Sequence, residues 1–122
     1  MLKSIESSIE KWRKDLDDQG FLVLNKVLSL DELSLYSSLY EDFMSGKLDA
    51  SSHRHDLGSH AAPQRKEAEN ITQIMWPSLY MDKATRPISL QSSPLHAKAE
   101  SIAKSLLGDD MAFDFDMLIT KV

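Results

Sequence analysis

The sequence contains no cysteine, so disulfide bonds and thiolate metal sites are both excluded. It also lacks a basic excess. Its formal net charge of -5 argues against a nucleic-acid-binding protein, which needs a basic surface for phosphates. The longest apolar run near the start, residues 21–24, is far too short to span a membrane, and no apolar signal segment precedes it. We therefore expect a soluble, cytoplasmic protein with no nucleic-acid or membrane partner.

Common catalytic motifs are absent as well. The sequence has no glycine-rich phosphate loop, no nucleophile elbow and no His-Glu metalloprotease helix. What is present is a 42% share of apolar residues, enough for a modest core in one domain. The residues by themselves therefore predict an α+β protein and define no catalytic set.

Apolar residues at helical spacing predict three amphipathic helices, over about residues 3–19, 30–45 and 94–107. Each is followed by a glycine, Gly20, Gly46 or Gly108, and glycine just past the last turn is typical of a helix end. The first and third helices carry equally spaced apolar stripes: Ile5, Ile9, Trp12 and Leu16, and Leu95, Ala99, Ile102 and Leu106. These stripes need an apolar sheet face against which to pack.

Three strands are predicted, over about residues 21–24, 71–76 and 112–121. In the last strand, alternation puts Phe113, Phe115, Met117, Ile119 and Lys121 on one face. A domain rarely stops at such an apolar strand, so we expect residues 1–122 to be a single partial domain, the front part of a larger fold. The exposed last strand also predicts self-association.

A polar stretch over residues 49–70 shows no periodicity and is predicted to be a long loop. It contains His53, His55, Asp56 and His60, which are ordinary ligand types for zinc or iron. Their spacing matches no established metal motif, which favours a solvated loop or a lid over a pocket. The metal interpretation stays open.

Polar residues in the predicted strands allow two interpretations. Gln73 lies among apolar neighbours and is either edge polarity or a donor and acceptor directed into a site. Asp114 and Asp116 share a strand face, where they either bind a cation or face solvent. In both cases the local sequence favours the structural interpretation.

The order of these elements resembles the phytanoyl-CoA dioxygenase family of Fe(II)/2-oxoglutarate-dependent oxygenases. The resemblance is carried by residues 18–33, 71–74, 106–108 and 117–121. In residues 18–33 a helix ends at Gly-Phe, a short apolar segment follows, and a capped helix begins. The later segments contribute an apolar strand, a Leu-Leu-Gly helix end and a strand that ends in lysine. Together these segments extend over nearly the whole chain.

The resemblance implies a double-stranded β-helix, or jelly roll, of which this chain supplies an incomplete sheet with flanking helices. It implies Fe(II) and 2-oxoglutarate as cofactors of the full-length enzyme, and a small molecule or acyl chain as its substrate. The family's His-x-Asp pair and distant His follow the strand that ends in lysine, so no metal ligand and no catalytic residue is expected in this chain. We therefore expect this chain alone to be inactive and to bind neither cofactor well.

Three positions match cosubstrate or substrate sites of the family. Lys121 matches the strand-end lysine, whose ammonium favours an anionic cosubstrate. Met117 matches a residue that lines the cosubstrate pocket, and Gln73 matches a polar site on the preceding strand. The alternative is a non-catalytic α+β interaction module that joins a partner through the edge of its last strand.

Overall fold

The structure is a computed structural model that describes residues 2–57 and 71–121, with side chains from residue 8 onward. In these residues it combines helices and strands. They are α1 (Leu2–Gln19), α2 (Leu30–Ser45), β1 (Arg54–Asp56), β2 (Ile71–Met75), α3 (Pro94–Leu107) and β3 (Met117–Lys121). Short 3-10 segments cover Ser51–His53 and Pro77–Lys83. The presence of both helices and an antiparallel sheet confirms the predicted α+β class.

The three α-helices begin and end within one residue of the bounds expected from the sequence. Each is followed by a glycine with positive φ, as at Gly20, where φ is 79°. The Gly20 amide donates to the Leu16 carbonyl at 2.8 Å and so closes the last turn of α1. This is the left-handed helix end that glycine adopts at little cost.

The chain divides into two compact units. The helical unit comprises Met1–Ser29 and Pro94–Phe113, and the sheet unit comprises Leu30–Ser93 and Asp114–Val122. The single partial domain expected from the sequence stays a prediction. Among the described residues, no helix is both long enough and apolar enough to cross a membrane.

In the helical unit, α1 and α3 are joined by a hydrogen bond from the Arg13 guanidinium to the Ser105 carbonyl at 2.8 Å. The stripe of α1 is half-buried at Ile9, Trp12 and Leu16. In α3, however, Leu95 is exposed, and only the C-terminal part of the predicted stripe is partly covered.

The sheet unit contains an antiparallel sheet in the order β1-β2-β3. One face contributes Ile74 to the buried core, which also contains Phe43 and Leu39 of α2. The other core members are Leu48, Ala50, Met81 and Ile88. In the part of the chain that the structure describes, these three strands do not close into a barrel, so the sheet has a second face besides the one that packs on this core.

The predicted strand over residues 21–24 is wrong. These residues form no strand, and Phe21 and Val23 are 57% and 68% exposed. An apolar run becomes a buried strand only where neighbouring strands accept its hydrogen bonds, and the three described strands pair only with one another. The apolar composition alone was therefore misleading.

The other two predicted strands are shorter than expected. The first ends at Met75 instead of residue 76, because Trp76 adopts a left-handed conformation with φ of 53° directly before Pro77. Proline disfavours right-handed helical geometry in the preceding residue, which restricts the backbone conformations open to Trp76.

The last strand covers Met117–Lys121 instead of residues 112–121. The Trp76 amide donates to the Asp116 carbonyl at 2.9 Å, and the ladder ends there.

The predicted loop over residues 49–70 is wrong in its first part. Residues 54–56 form β1, which pairs with β2. Residues 58–70, including His60, lie outside the described residues. A strand of three residues has too few positions to show an alternating pattern.

Candidate functional site: the open face of the sheet

One face of the β2–β3 ladder presents alternate residues away from the core. We call this the open face: Ile71, Gln73 and Met75 of β2, and Met117, Ile119 and Lys121 of β3. The strand register places Ile71 opposite Lys121, Gln73 opposite Ile119, and Met75 opposite Met117. Directly paired residues of an antiparallel ladder share a face, so these six side chains form one surface.

The exposure of the two faces differs sharply. Met117 and Ile119 are 40% and 49% exposed, and all three open-face residues of β3 are classed as exposed. On the opposite face, Thr72 and Ile74 are buried. Leu118 packs against the core there, and Thr120 bonds the Tyr40 hydroxyl of α2 at 2.9 Å. One face is therefore covered by α2, and the other presents a half-apolar surface to solvent.

The structure brings together all three residues that the sequence singled out. Gln73 donates from its side-chain amide to the sulfur of Met117 at 2.9 Å. Lys121 lies on the same face, one diagonal step from Gln73 in the register. A cation and an amide beside a thioether suit a ligand with a carboxylate and an apolar stem. The roles of these residues toward 2-oxoglutarate stay a prediction.

His55 is a residue of this surface that sequence reasoning missed. It lies in β1 opposite Gln73, and Gln73 lies opposite Ile119, so the three form one row across the sheet. His55 is exposed, which agrees with its position on the open face. No local signal could have placed it here, because β1 has no periodicity of its own.

His53 lies on the other side of the same segment. Its Nδ1 is hydrogen-bonded to the Tyr80 hydroxyl at 2.5 Å, and its ring meets that of Trp76 edge-on at 5.6 Å. This arrangement orients His53 toward the packed side, whereas His55 faces the open side. His53 and His55 therefore have different surroundings, Tyr80 and Trp76 for His53 and the row with Gln73 for His55.

Iron, which the family resemblance implies, does not fit the residues that are described. Within residues 2–57 and 71–121, no group of three or more histidine or acidic side chains is arranged to hold a metal ion. The third histidine of the suspected loop, His60, lies outside these ranges.

Of the two aspartates that share a predicted strand face, Asp114 and Asp116, the structure supports the structural interpretation for Asp116. The Asp116 carboxylate accepts hydrogen bonds from the Ser78 amide at 3.1 Å and from the Ser78 hydroxyl at 2.8 Å. It thereby fixes the start of the 3-10 segment Pro77–Lys83. Asp114 is exposed. The structural interpretation of Asp116 accounts for both of its carboxylate oxygens.

Comparison with protein-family models, with curated proteins and with solved structures finds no match for this chain. The family resemblance therefore depends on the sequence segments described above. The geometry of the open face is an independent property of the fold.

Proposed function

We propose that this chain is the N-terminal part of a 2-oxoglutarate-dependent oxygenase of the phytanoyl-CoA dioxygenase type, hydroxylating a small molecule or an acyl chain. In this proposal the open face forms one wall of the cosubstrate pocket. The observation that carries it is the common location of Gln73, Met117 and Lys121 on one exposed sheet face. The sequence resemblance singled out these residues without knowledge of their pairing.

The spacing on this face supports different tasks for the three residues. Diagonal neighbours across an antiparallel ladder are roughly 7–8 Å apart, so the long side chains of Lys121 and Gln73 can reach one small dicarboxylate. Met117 lies four residues from Lys121, about 13 Å along the strand. We therefore assign the distal carboxylate to the Lys121 ammonium and the opposite end of the ligand to Gln73. Met117 lines the wall and holds the Gln73 amide.

The jelly-roll architecture belongs to the same proposal. A sheet with one packed face and one half-apolar open face gains stability from a second layer over the open side. In a double-stranded β-helix that layer consists of further strands, which would enclose the ligand between two walls. The iron ligands are then expected on residues that follow the strand ending at Lys121.

The reading frame after the codon for Val122 tests the proposal at the level of sequence. We expect a His-x-Asp soon after it, followed later by a histidine and an arginine. A frame that closes at Val122, or continues without a His-x-Asp, would contradict the proposal. For this chain alone we expect no charge-transfer absorption on anaerobic addition of Fe(II) and 2-oxoglutarate.

Cosubstrate binding tests the wall itself. The ε-methyl signal of Met117 can be followed by NMR while 2-oxoglutarate is added to the chain. We expect a saturable shift with weak affinity, on the order of millimolar, because only one wall is present. Lys121→Gln should abolish saturation, whereas Lys83→Gln, an exposed lysine elsewhere in the sheet unit, should leave the titration unchanged. Equal titration curves for both variants would remove Lys121 from the proposed site.

A second candidate function is a binding module that accepts a partner strand. The strand order places β3 at one edge of the sheet, and Met117 and Ile119 are exposed on it. An exposed apolar edge strand is a template for strand addition by another chain or by a second copy.

Light scattering coupled to size-exclusion chromatography distinguishes the second candidate. A defined dimer that Ile119→Lys converts to a folded monomer would favour strand addition, because a charge at an apolar edge opposes pairing. A wild-type chain that stays monomeric at all concentrations would exclude self-association through β3.

A further inference from the structure

The helical unit contains a cleft of about 680 Å³ between α1, α3 and the segment that follows Gly20. Its lining includes Lys11, Trp12, Asp15, Val23, Lys26 and Ile102. Ligand sites for small molecules commonly have volumes of roughly 300–1,000 Å³. The cleft therefore has the size of a small-molecule site, and every residue that lines it belongs to the helical unit.

The charge of this cleft is opposite to that of the chain. Three lysines line it, Lys11, Lys26 and Lys98, against a single carboxylate, Asp15. The chain as a whole has a formal charge of -5. Concentrating cations in a concave surface raises the local concentration of anions. A cleft of this sign in an acidic protein favours an anionic ligand.

Two of these ammonium groups are not engaged by acidic side chains. Among the described residues, Lys14 pairs with Asp18 at 2.6 Å and Lys104 pairs with Glu100 at 2.9 Å. Neither Lys11 nor Lys26 forms an ion pair within the described part of the chain. Their charges are therefore available to a ligand.

The backbone at Lys26 is unusual for a lysine. Its φ is 56°, in the left-handed region that residues with a Cβ seldom adopt. The next residue is held in place, because the Lys98 ammonium donates to the Val27 carbonyl at 2.7 Å. Non-glycine residues in this region persist where the surroundings determine them, and such positions are concentrated at ligand sites.

The remaining walls are apolar. Trp12 is half-buried on α1, and Val23 and Ile102 line the cleft from the other two segments. An indole face and branched aliphatic side chains favour an apolar or aromatic ligand body. The cleft thus combines a cationic part with an apolar part.

We propose that this cleft binds a small organic anion, with a carboxylate or phosphate group held by Lys11 and Lys26 and an apolar body packed on Trp12. This site is separate from the open face and does not depend on the oxygenase proposal. It uses the segment over residues 23–27 as a wall, so the exposed side chain of Val23 has a role there without any strand pairing.

Trp12 provides a direct readout. Trp76→Phe leaves Trp12 as the single tryptophan, and its emission can be titrated with decanoate, with octyl phosphate and with inorganic phosphate, below micelle-forming concentrations. We expect a saturable change with the amphiphilic anions and weaker binding of inorganic phosphate, which lacks an apolar body. Added salt should raise Kd by screening the lysines. Tighter binding of decanoate would identify a carboxylate ligand, and tighter binding of octyl phosphate a phosphate ligand.

The lysine variants assign the binding to the cleft. Lys11→Gln and Lys26→Gly should each raise Kd on the order of tenfold, since each removes a charge-assisted contact. Lys26→Gly also removes the strain of a positive φ at a residue with a Cβ. If the far-UV circular dichroism spectrum and the stability in urea are retained, the weaker binding of this variant does not come from misfolding. Lys14→Gln makes the same charge change on α1 outside the cleft lining and should leave Kd unchanged. Absence of saturable binding by both amphiphiles, or equal losses in Lys14→Gln and the cleft variants, would overturn the proposal.

Discussion

The helical unit and the sheet unit differ in how they bury their residues. Every buried residue described in this chain, from Leu39 of α2 to Ser93, belongs to the sheet unit. In the helical unit the described side chains are at most half-buried, including the apolar stripe of α1. Apolar burial contributes about 25 cal/mol per Å². A regular helix pattern alone therefore does not create a core. We expect the sheet unit to be the more stable part.

Truncation of Phe43 gives the largest expected effect and tests this comparison directly. Phe43 is fully buried and meets the ring of Tyr80 edge-on at 6.2 Å. We expect Phe43→Ala to lower the free energy of unfolding by about 3–5 kcal/mol, because it removes apolar contacts and leaves a cavity. Urea denaturation followed by circular dichroism measures the loss.

Trp12→Ala is the matched truncation in the helical unit. Trp12 is only half-buried, so we expect a clearly smaller loss of stability in the same measurement. A loss at Trp12 equal to that at Phe43 would contradict the expectation that the sheet unit is the more stable part.

Glycine-to-alanine substitutions measure how much the ends of α1 and α3 contribute to the stability of the helical unit. Gly108 has φ of 119° and Gly20 has φ of 79°, with nothing within 4 Å of an added Cβ at Gly20. At Gly108 an added Cβ would meet the Asp110 carboxylate at 2.8 Å. We expect Gly108→Ala to cost about 1–3 kcal/mol of backbone strain, and Gly20→Ala to cost about 1 kcal/mol.

Amide hydrogen exchange distinguishes a local loss of stability from a global one in these glycine variants. We expect Gly108→Ala to accelerate exchange in α3 while the amides of β2 keep their protection, since the two elements belong to different units. Equal acceleration in α3 and β2 would show that the two units unfold together.

The helices were predictable because their signals are local. Apolar spacing and the glycines after each helix gave bounds that differ from the structure by at most one residue. The strands depend on partners that are distant in sequence. The apolar segment over residues 21–24 has no partner among the described strands, whereas the polar residues of β1 pair with β2. Apolarity therefore predicted a strand where none forms and missed the one that does.

The candidate site was predictable only in part, for a similar reason. Alternation along β3 puts Met117 and Lys121 on one face without knowledge of the fold. That Gln73 and His55 lie on the same face as Met117 and Lys121 follows only from the register of the three strands. This register depends on tertiary packing. The direction of His53 depends on Tyr80, a residue 27 positions away.

The smallest expected effect concerns Asp42, a buried charge of the sheet unit that has no counterpart in the helical unit. Its carboxylate accepts the Thr85 amide at 2.8 Å. Hydrogen bonds from Thr85, and to a lesser degree the positive charge of Lys47, lower the pKa of Asp42 below its ordinary value of 3.8. Asp42→Asn keeps an oxygen that can accept the Thr85 amide and removes only the charge, so we expect a smaller loss than for Gly108→Ala.

The pH dependence of that loss follows from the direction of the pKa shift. A lowered pKa means that the folded state holds the Asp42 proton less tightly than the unfolded state does. The stabilisation is therefore present above pH 3.8 and is lost as the pH falls through the lower pKa of the folded chain. We expect urea denaturation to give a stability difference between the wild type and Asp42→Asn that is constant near neutral pH and shrinks under acid. A difference that grows on acidification would reverse the sign and show that the Asp42 charge does not stabilise the fold.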